Sequence, residues 1–237
     1  MTVEDYSEPI LDGRGGSDYE RYLRTDELLA LQKTPEEWVH RDELLFQTVH
    51  QTSEIWLKLA WNEVAAATRL LEEERDLGGA IRLLRRSVES MRIVHSLLDM
   101  LEHMSPWEYT RYIRPVLGHG SGFDSPGFNG IRRVSPPLGD AFHKLRRDAG
   151  LSLVELYQRG RELEDLYQLA ELLIEWDERV TLWRMRHYKV VARVIGDEVV
   201  GTQGTPVELL GGLIKHELYP ELWDARNELT ELAKRDE

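Results

Sequence analysis

The sequence predicts an all-α protein, a bundle of long antiparallel helices with two glycine-rich loops between them. Three features carry that prediction. Apolar residues recur at three- and four-residue steps over long stretches, no alternating run bounded by turns reads as a strand, and no internal repeat or low-complexity tract intervenes. Residues 1–18, with Gly13, Gly15 and Gly16 among acidic and small residues, read as a flexible arm, which leaves residues 19–237 as a single domain. Tyr19 to Gln32 carries Tyr22, Leu23, Leu28, Leu29 and Leu31 and is expected to be helical, ending near Thr34-Pro35. Arg41 to about Arg75 is one long helix, because Leu45, Val49, Trp56, Leu59, Val64, Ala67 and Leu71 form a stripe that no Gly or Pro interrupts. Asp76-Leu77-Gly78-Gly79 stops it and turns the chain.

A second long helix, about Ala80 to His103, has Ile81, Leu84, Val88, Met91, Val94, Leu98 and Leu101 on one side. Ser105-Pro106 opens a short helix with Ser as cap, Pro at the first helical position and Glu108 in the first turn. Pro115 is expected to break it. From Leu117 to Gly139 the chain is rich in Gly, Ser and Pro and reads as a long loop, ordered by Phe123 and Phe128. Leu151 to Gly196 is a third helical block, with a break allowed at Gly160. A second glycine-bearing loop, Gly196 to Gly212, precedes a C-terminal helix from about Pro220 to Lys234.

Composition narrows the chemistry. The chain has 237 residues, 30 Lys and Arg against 43 Asp and Glu, and no cysteine, so disulfides, thiolate metal sites, a cysteine nucleophile and covalent haem attachment through C-x-x-C-H are excluded. A net charge of −13 argues against a nucleic-acid partner bound by counterion release. No apolar run approaches the ~20 residues of a membrane span, and the N-terminus lacks a basic segment followed by an apolar one, so no membrane partner and a cytoplasmic location are expected.

Two histidines stand where a plain bundle would not need them. Phe46 and His50 are four residues apart and share a helix face, continued by Ser53, Glu54 and Leu57. His187 falls in an apolar stripe with Trp183, Val190, Val191 and Val194. Burying an unpaired imidazole costs ~1–3 kcal/mol, so each must find a hydrogen-bond partner or a metal, and spacing alone leaves both readings open. The flanks of His187, with Trp183, Arg184, Arg186 and Lys189 within one turn, suit an axial haem ligand beside an apolar slot and cations for propionates. They equally suit a solvated face. Di-iron chemistry is disfavoured, since Glu37-x-x-His40 occurs once and Asp140-x-x-His143 is a poor second, both near helix ends. Gly120-Ser121-Gly122 lacks the strand-turn-helix context of a serine nucleophile, and no phosphate loop or dinucleotide fingerprint is present.

Taken together, four blocks resemble the tryptophan 2,3-dioxygenases. They are Tyr19-Glu-Arg-Tyr22-Leu23 with the run Asp42 to Leu59 (containing Phe46, His50 and Glu54), then Arg114 to Phe123, then Trp183 to Gly196, and finally Gly201-Thr202. The resemblance implies a non-covalent haem b with His187 on its iron, and Trp183, Ser121 and Gly122 beside the cofactor. It implies His50 against the indole nitrogen, Phe46 against the indole ring, and Arg114 and Thr202 on the amino-acid end of the substrate. His50 and Arg114 would be the catalytic pair. It further implies L-tryptophan or a derivative and O2 as substrates, reaction at the indole C2–C3 bond, and two active-site loops. Tyr19 and Tyr22 would lie on an arm reaching a neighbouring subunit in a homotetramer, a dimer of dimers. Departures from the family pattern are a shorter chain, Asp124-Ser125 for the usual Gln-Ser, Gly201-Thr202-Gln203-Gly204-Thr205-Pro206 for a Gly-Thr-Gly-Gly-Ser-Ser-Gly loop, and Thr110 where an aromatic residue would line the pocket four residues before Arg114. Two alternatives stay open: a monooxygenase giving a 2-oxindole, and a helical haem-binding protein without turnover. The second would need no amino-acid clamp.

Overall fold

The computed structural model describes residues 8–235, so the expected arm lies outside the described residues as far as Ser7. The α-helices are α1 (Asp18–Leu23), α2 (Thr25–Leu29), α3 (Asp42–Arg69), α4 (Leu77–Leu101), α5 (Pro106–Glu108), α6 (Arg114–Val116), α7 (Pro126–Asp148), α8 (Leu153–Gln158), α9 (Glu164–Ile195), α10 (Glu208–Leu213) and α11 (Pro220–Arg235). Among the described residues the only β-pairing is an isolated bridge between Val200 and Pro206, and no helix is long and apolar enough to cross a membrane.

Four long helices make the bundle. α4 packs between α3 and α9, and α7 packs on α3 and touches α9, so α3 and α9 stand on a diagonal and meet chiefly through their neighbours. Side-chain pairs fix the directions. Arg75 at the end of α3 meets Asp148 at the end of α7, whereas Arg85 and Asp99 of α4 meet Gln168 and Arg186 of α9 in the same order. α3 and α7 therefore run one way and α4 and α9 the other. The main core is built where the apolar stripes meet, with Leu57, Ala60, Val64 and Ala67 of α3, Leu84 and Met91 of α4, Leu138 and Phe142 of α7, and Leu169, Leu173 and Trp176 of α9. A smaller apolar cluster, Val49, Leu98, Leu101, Met104, Val190 and Val194, fills one end, where α3 and α7 begin and α4 and α9 finish.

Most boundaries follow the expected signals. α3 continues into a wide π turn over Leu70–Glu74, and Arg75 takes the left-handed conformation (φ 53°) that often ends a helix. Asp76 then caps α4, accepting the Gly79 N–H at 2.8 Å. Ser105 caps α5, with Pro106 in its first turn. The segment expected to be one helix from Tyr19 is divided at Arg24, which is left-handed (φ 55°). Residues Ile10 to Ser17 fold back on α1, with the Ile10 and Leu11 amides donating to Asp18 and Arg21 reaching the Leu11 and Gly15 carbonyls.

Two expectations are corrected. The stretch 117–139 is not one long loop, because α7 starts at Pro126 and runs through most of it. Its glycines serve packing, since a Cβ on Gly130 would come within 2.5 Å of the Trp61 ring and one on Gly127 within 2.6 Å of Leu57. Small residues here let α7 approach α3 at backbone distance. Pro136 and Pro137 sit on its exposed side, as do Arg132 and Arg133, whose carbonyls lose their helical partners and can turn to water. Nor does Pro115 break its helix. A π turn over Tyr109–Ile113 puts Pro115 into the first turn of α6, where no N–H is required.

Candidate active site

The bundle end closed by the smaller cluster carries almost every candidate residue. His50, one turn into α3 beyond Phe46, turns its Nδ1 to the Phe46 carbonyl at 2.7 Å. A carbonyl only accepts, so Nδ1 must carry the proton and Nε2 keeps its lone pair. Desolvation lowers the His50 pKa, against weaker raising effects of the Phe46 carbonyl and the Glu54 carboxylate. The same ring is exposed.

His187 of α9 lies near His50. Burial pushes its pKa down to about 4, and the nearby His50 adds in the same direction. The ring is stacked on Trp183 (4.7 Å between centroids, 9° between planes), and Trp183 in turn packs on Phe128 of α7 at 3.9 Å. On the α3 side Phe46 lies 4.0 Å from the His50 ring and 5.8 Å from the Tyr109 ring. Two imidazoles on diagonal helices thus lie near each other, His50 beside Phe46 and His187 beside Trp183. Neither His187 nitrogen has a hydrogen-bond partner among the described residues, so the ring is neutral at pH 7 and keeps a lone pair for a metal. On that ground His187 fits a residue that would hold haem iron.

At the rim, Arg114 donates through Nη2 to the Val200 carbonyl, and Thr202 donates through Oγ1 to the Gly120 carbonyl. Both candidate clamp residues therefore stand between the two loops. Ser121 caps the 3-10 turn Gly122–Asp124 by accepting the Phe123 N–H at 3.3 Å, and Gly122 faces open space. Tyr19 and Tyr22 are not part of this group in the single chain. They project from α1, 69% and 78% exposed. Two of the cations flanking His187 are already engaged: Arg186 pairs with Asp99 and Glu102, and Arg184 donates to the His216 carbonyl.

Comparisons with known proteins bear on the family of the chain. Residues 7–144 match the family model described as tryptophan 2,3-dioxygenase. The curated tryptophan 2,3-dioxygenase of Myxococcus xanthus is 32% identical over 93% of this chain and 92% of that protein, and the one from Caulobacter vibrioides is 32% identical over 89% and 98%. The enzyme of that name from Serratia proteamaculans is 29% identical, over 89% and 92%. The chain belongs to the tryptophan 2,3-dioxygenase family.

Membership makes it an oxidoreductase of the dioxygenase type. The alignment with the Myxococcus protein spans 272 positions, more than the 237 residues of this chain, so that relative has segments missing here. Near Arg114 the geometry brings in a residue that the tryptophan 2,3-dioxygenase pattern did not single out. Thr110 is exposed, and Tyr109 lies against Phe46 instead. The reason is the π turn: the Arg114 N–H bonds to the Tyr109 carbonyl, five residues back, so the residue sharing a face with Arg114 is the fifth and not the fourth. Burial raises the Tyr109 pKa while the Arg114 charge opposes it, as expected for neighbours. Glu54 was legible only as part of a motif. Its carboxylate accepts from Ser125 Oγ and from the Gly127 N–H (2.8 Å), pinning the start of α7 to the helix that carries His50.

Proposed function

We propose that the chain is a haem-dependent dioxygenase that opens the indole C2–C3 bond of L-tryptophan, or of a close derivative, and that it holds haem b without a covalent link. The observation that carries this reading is the nearness of His187 and His50 on diagonal helices, with Arg114 and Thr202 bridging the two loops. When bound to His187, the haem would supply the iron centre at which O2 is activated. The remaining work falls to the chain. Neutral His50 offers Nε2 as acceptor to the indole N–H, which makes it a positioner of the ring and not an obligatory base. Phe46 and Tyr109 give the ring an apolar face to lie on. Arg114 offers a bidentate fork to the substrate carboxylate, and Thr202 a hydroxyl to the ammonium or carboxylate. Fixing the amino-acid end fixes which indole bond is presented.

The single catalytic domain begins at residue 19 in this reading, with the two loops 117–125 and 196–207 over the site. A homotetramer is supported by the exposed side chains of the N-terminal elements, Ile10, Tyr19, Tyr22, Leu29 and Leu31, which are left uncovered among the described residues. The test is haem binding followed by product formation. The ferrous protein is expected to show a Soret band and, with L-tryptophan in air, to develop the absorbance of N-formylkynurenine. His187→Ala should abolish the native Soret band. A haem-loaded protein that leaves L-tryptophan untouched would support the non-catalytic alternative, and a 2-oxindole product the monooxygenase alternative.

A further inference from the structure

Residues 199–207 form a self-contained hairpin. The Gly201 N–H bonds to the Thr205 carbonyl at 2.8 Å and the Val207 N–H to the Val199 carbonyl at 3.1 Å, with Gly204 left-handed at the turn (φ 76°). Three side-chain hydrogen bonds tie this hairpin to the segment 114–124. Two of them employ the candidate substrate clamps themselves, Arg114 to Val200 and Thr202 to Gly120. The third is different. Gln203 Nε2 donates to Asp124 Oδ2 at 2.7 Å, and the same carboxylate oxygen accepts the Ser121 N–H at 3.3 Å. Both Gln203 and Asp124 are positions at which the chain departs from the family pattern, and these two departures meet each other.

We propose that Gln203 and Asp124 are positioning residues, a latch that sets Thr202 and Arg114 for the amino-acid end of the substrate. The inference rests on the function proposed above. When the substrate carboxylate engages Arg114 and Thr202, their donors are drawn from the Val200 and Gly120 carbonyls. The Gln203–Asp124 bond uses neither clamp and persists. It adjoins Thr202 in one loop and Ser121-Gly122 in the other, so it holds the spacing between the loops during binding. An ionised acceptor makes it stronger than a neutral pair, while its exposure to solvent keeps the effect moderate.

The test is calorimetric titration of the haem-loaded protein with L-tryptophan and, separately, with 3-methylindole, which has the ring without the amino-acid end. Asp124→Ala and Gln203→Ala are each expected to weaken L-tryptophan binding about fivefold, in the range set by one hydrogen bond. The double variant should be no weaker than Asp124→Ala alone, because that substitution has already removed the bond that Gln203→Ala removes. Asp124→Asn, which keeps an acceptor oxygen, should stay within about twofold of the unaltered protein. Binding of 3-methylindole should not change in any of them. Effects that multiply in the double variant, or that are equal for the two ligands, would overturn the latch, as would unchanged L-tryptophan binding in both alanine variants. Failure of the unaltered protein to bind L-tryptophan would instead overturn the proposed function, and the latch with it.

Discussion

Replacing His187 with phenylalanine should flatten the acid limb of stability in the haem-free protein. The folded-state pKa of His187 is about 4, against 6.5 for a free imidazole, with burial the larger cause. Above pH 6.5 the residue is neutral in both folded and unfolded chains, and the shift leaves stability unaffected there. Between 6.5 and 4 the unfolded chain takes up a proton that folded His187 refuses, so stability is lost as the pH falls through that window. At 1.36 kcal/mol per pKa unit, and allowing for the ring's residual solvent contact, the loss is about 2–3 kcal/mol. His50, His95 and His143 also have pKa values lowered chiefly by burial, and they slope in the same direction in both proteins. The difference between the two proteins isolates His187. Urea denaturation of both at pH values spaced from about 7.5 to 4.5 would measure it. Parallel curves would refute the reasoning, since they would mean that His187 is not desolvated in the folded chain and has no special claim to hold a metal.

Gly130→Ala inserts a methyl within 2.5 Å of the Trp61 ring. Overpacking of about 1–3 kcal/mol, less a helix-propensity gain of about 0.5–1, should lower stability by roughly 1–2 kcal/mol and Tm by several degrees in a thermal melt. An unchanged or raised Tm would show that α7 is not held at that distance. Arg114→Ala should lower kcat/KM for L-tryptophan by about 2–4 kcal/mol of transition-state stabilisation; behaviour like that of the unaltered enzyme would mean that no carboxylate is read there. Tyr109→Ala should weaken L-tryptophan binding several-fold while Thr110→Ala leaves it within about twofold, as an apolar ring contact is lost only in the first. The reverse order would restore Thr110 to the pocket and contradict the π turn.

Helical periodicity made the bundle legible, because α3, α4 and α9 bury one stripe each and have few breakers inside them. It failed at α7, where glycine and proline normally signal a loop. Their local propensity is overridden by contact: Gly127 and Gly130 are small because Leu57 and Trp61 stand against them, and the prolines lie on a face that needs no internal partner. His50 and His187 stood out from their local pattern, whereas Arg114, Thr202 and the gathering of all four came only from the family resemblance. That gathering depends on the diagonal placement of α3 and α9, which no local pattern encodes. Tyr109 was missed for a narrower reason. A four-residue step assumes an ordinary α-turn, and the extra residue in the π turn moves the pocket-facing position back by one. The −13 charge belongs mainly to the outer helix faces and says little about the site.

Counting the oxygen atoms transferred from O2 tests the central claim most directly. The haem-loaded protein would be given L-tryptophan under 18O2, and the product analysed by mass spectrometry. A ring-opened product carrying two labelled oxygens is expected. A product with an intact ring and one labelled oxygen, or with no label at all, would contradict the dioxygenase reading.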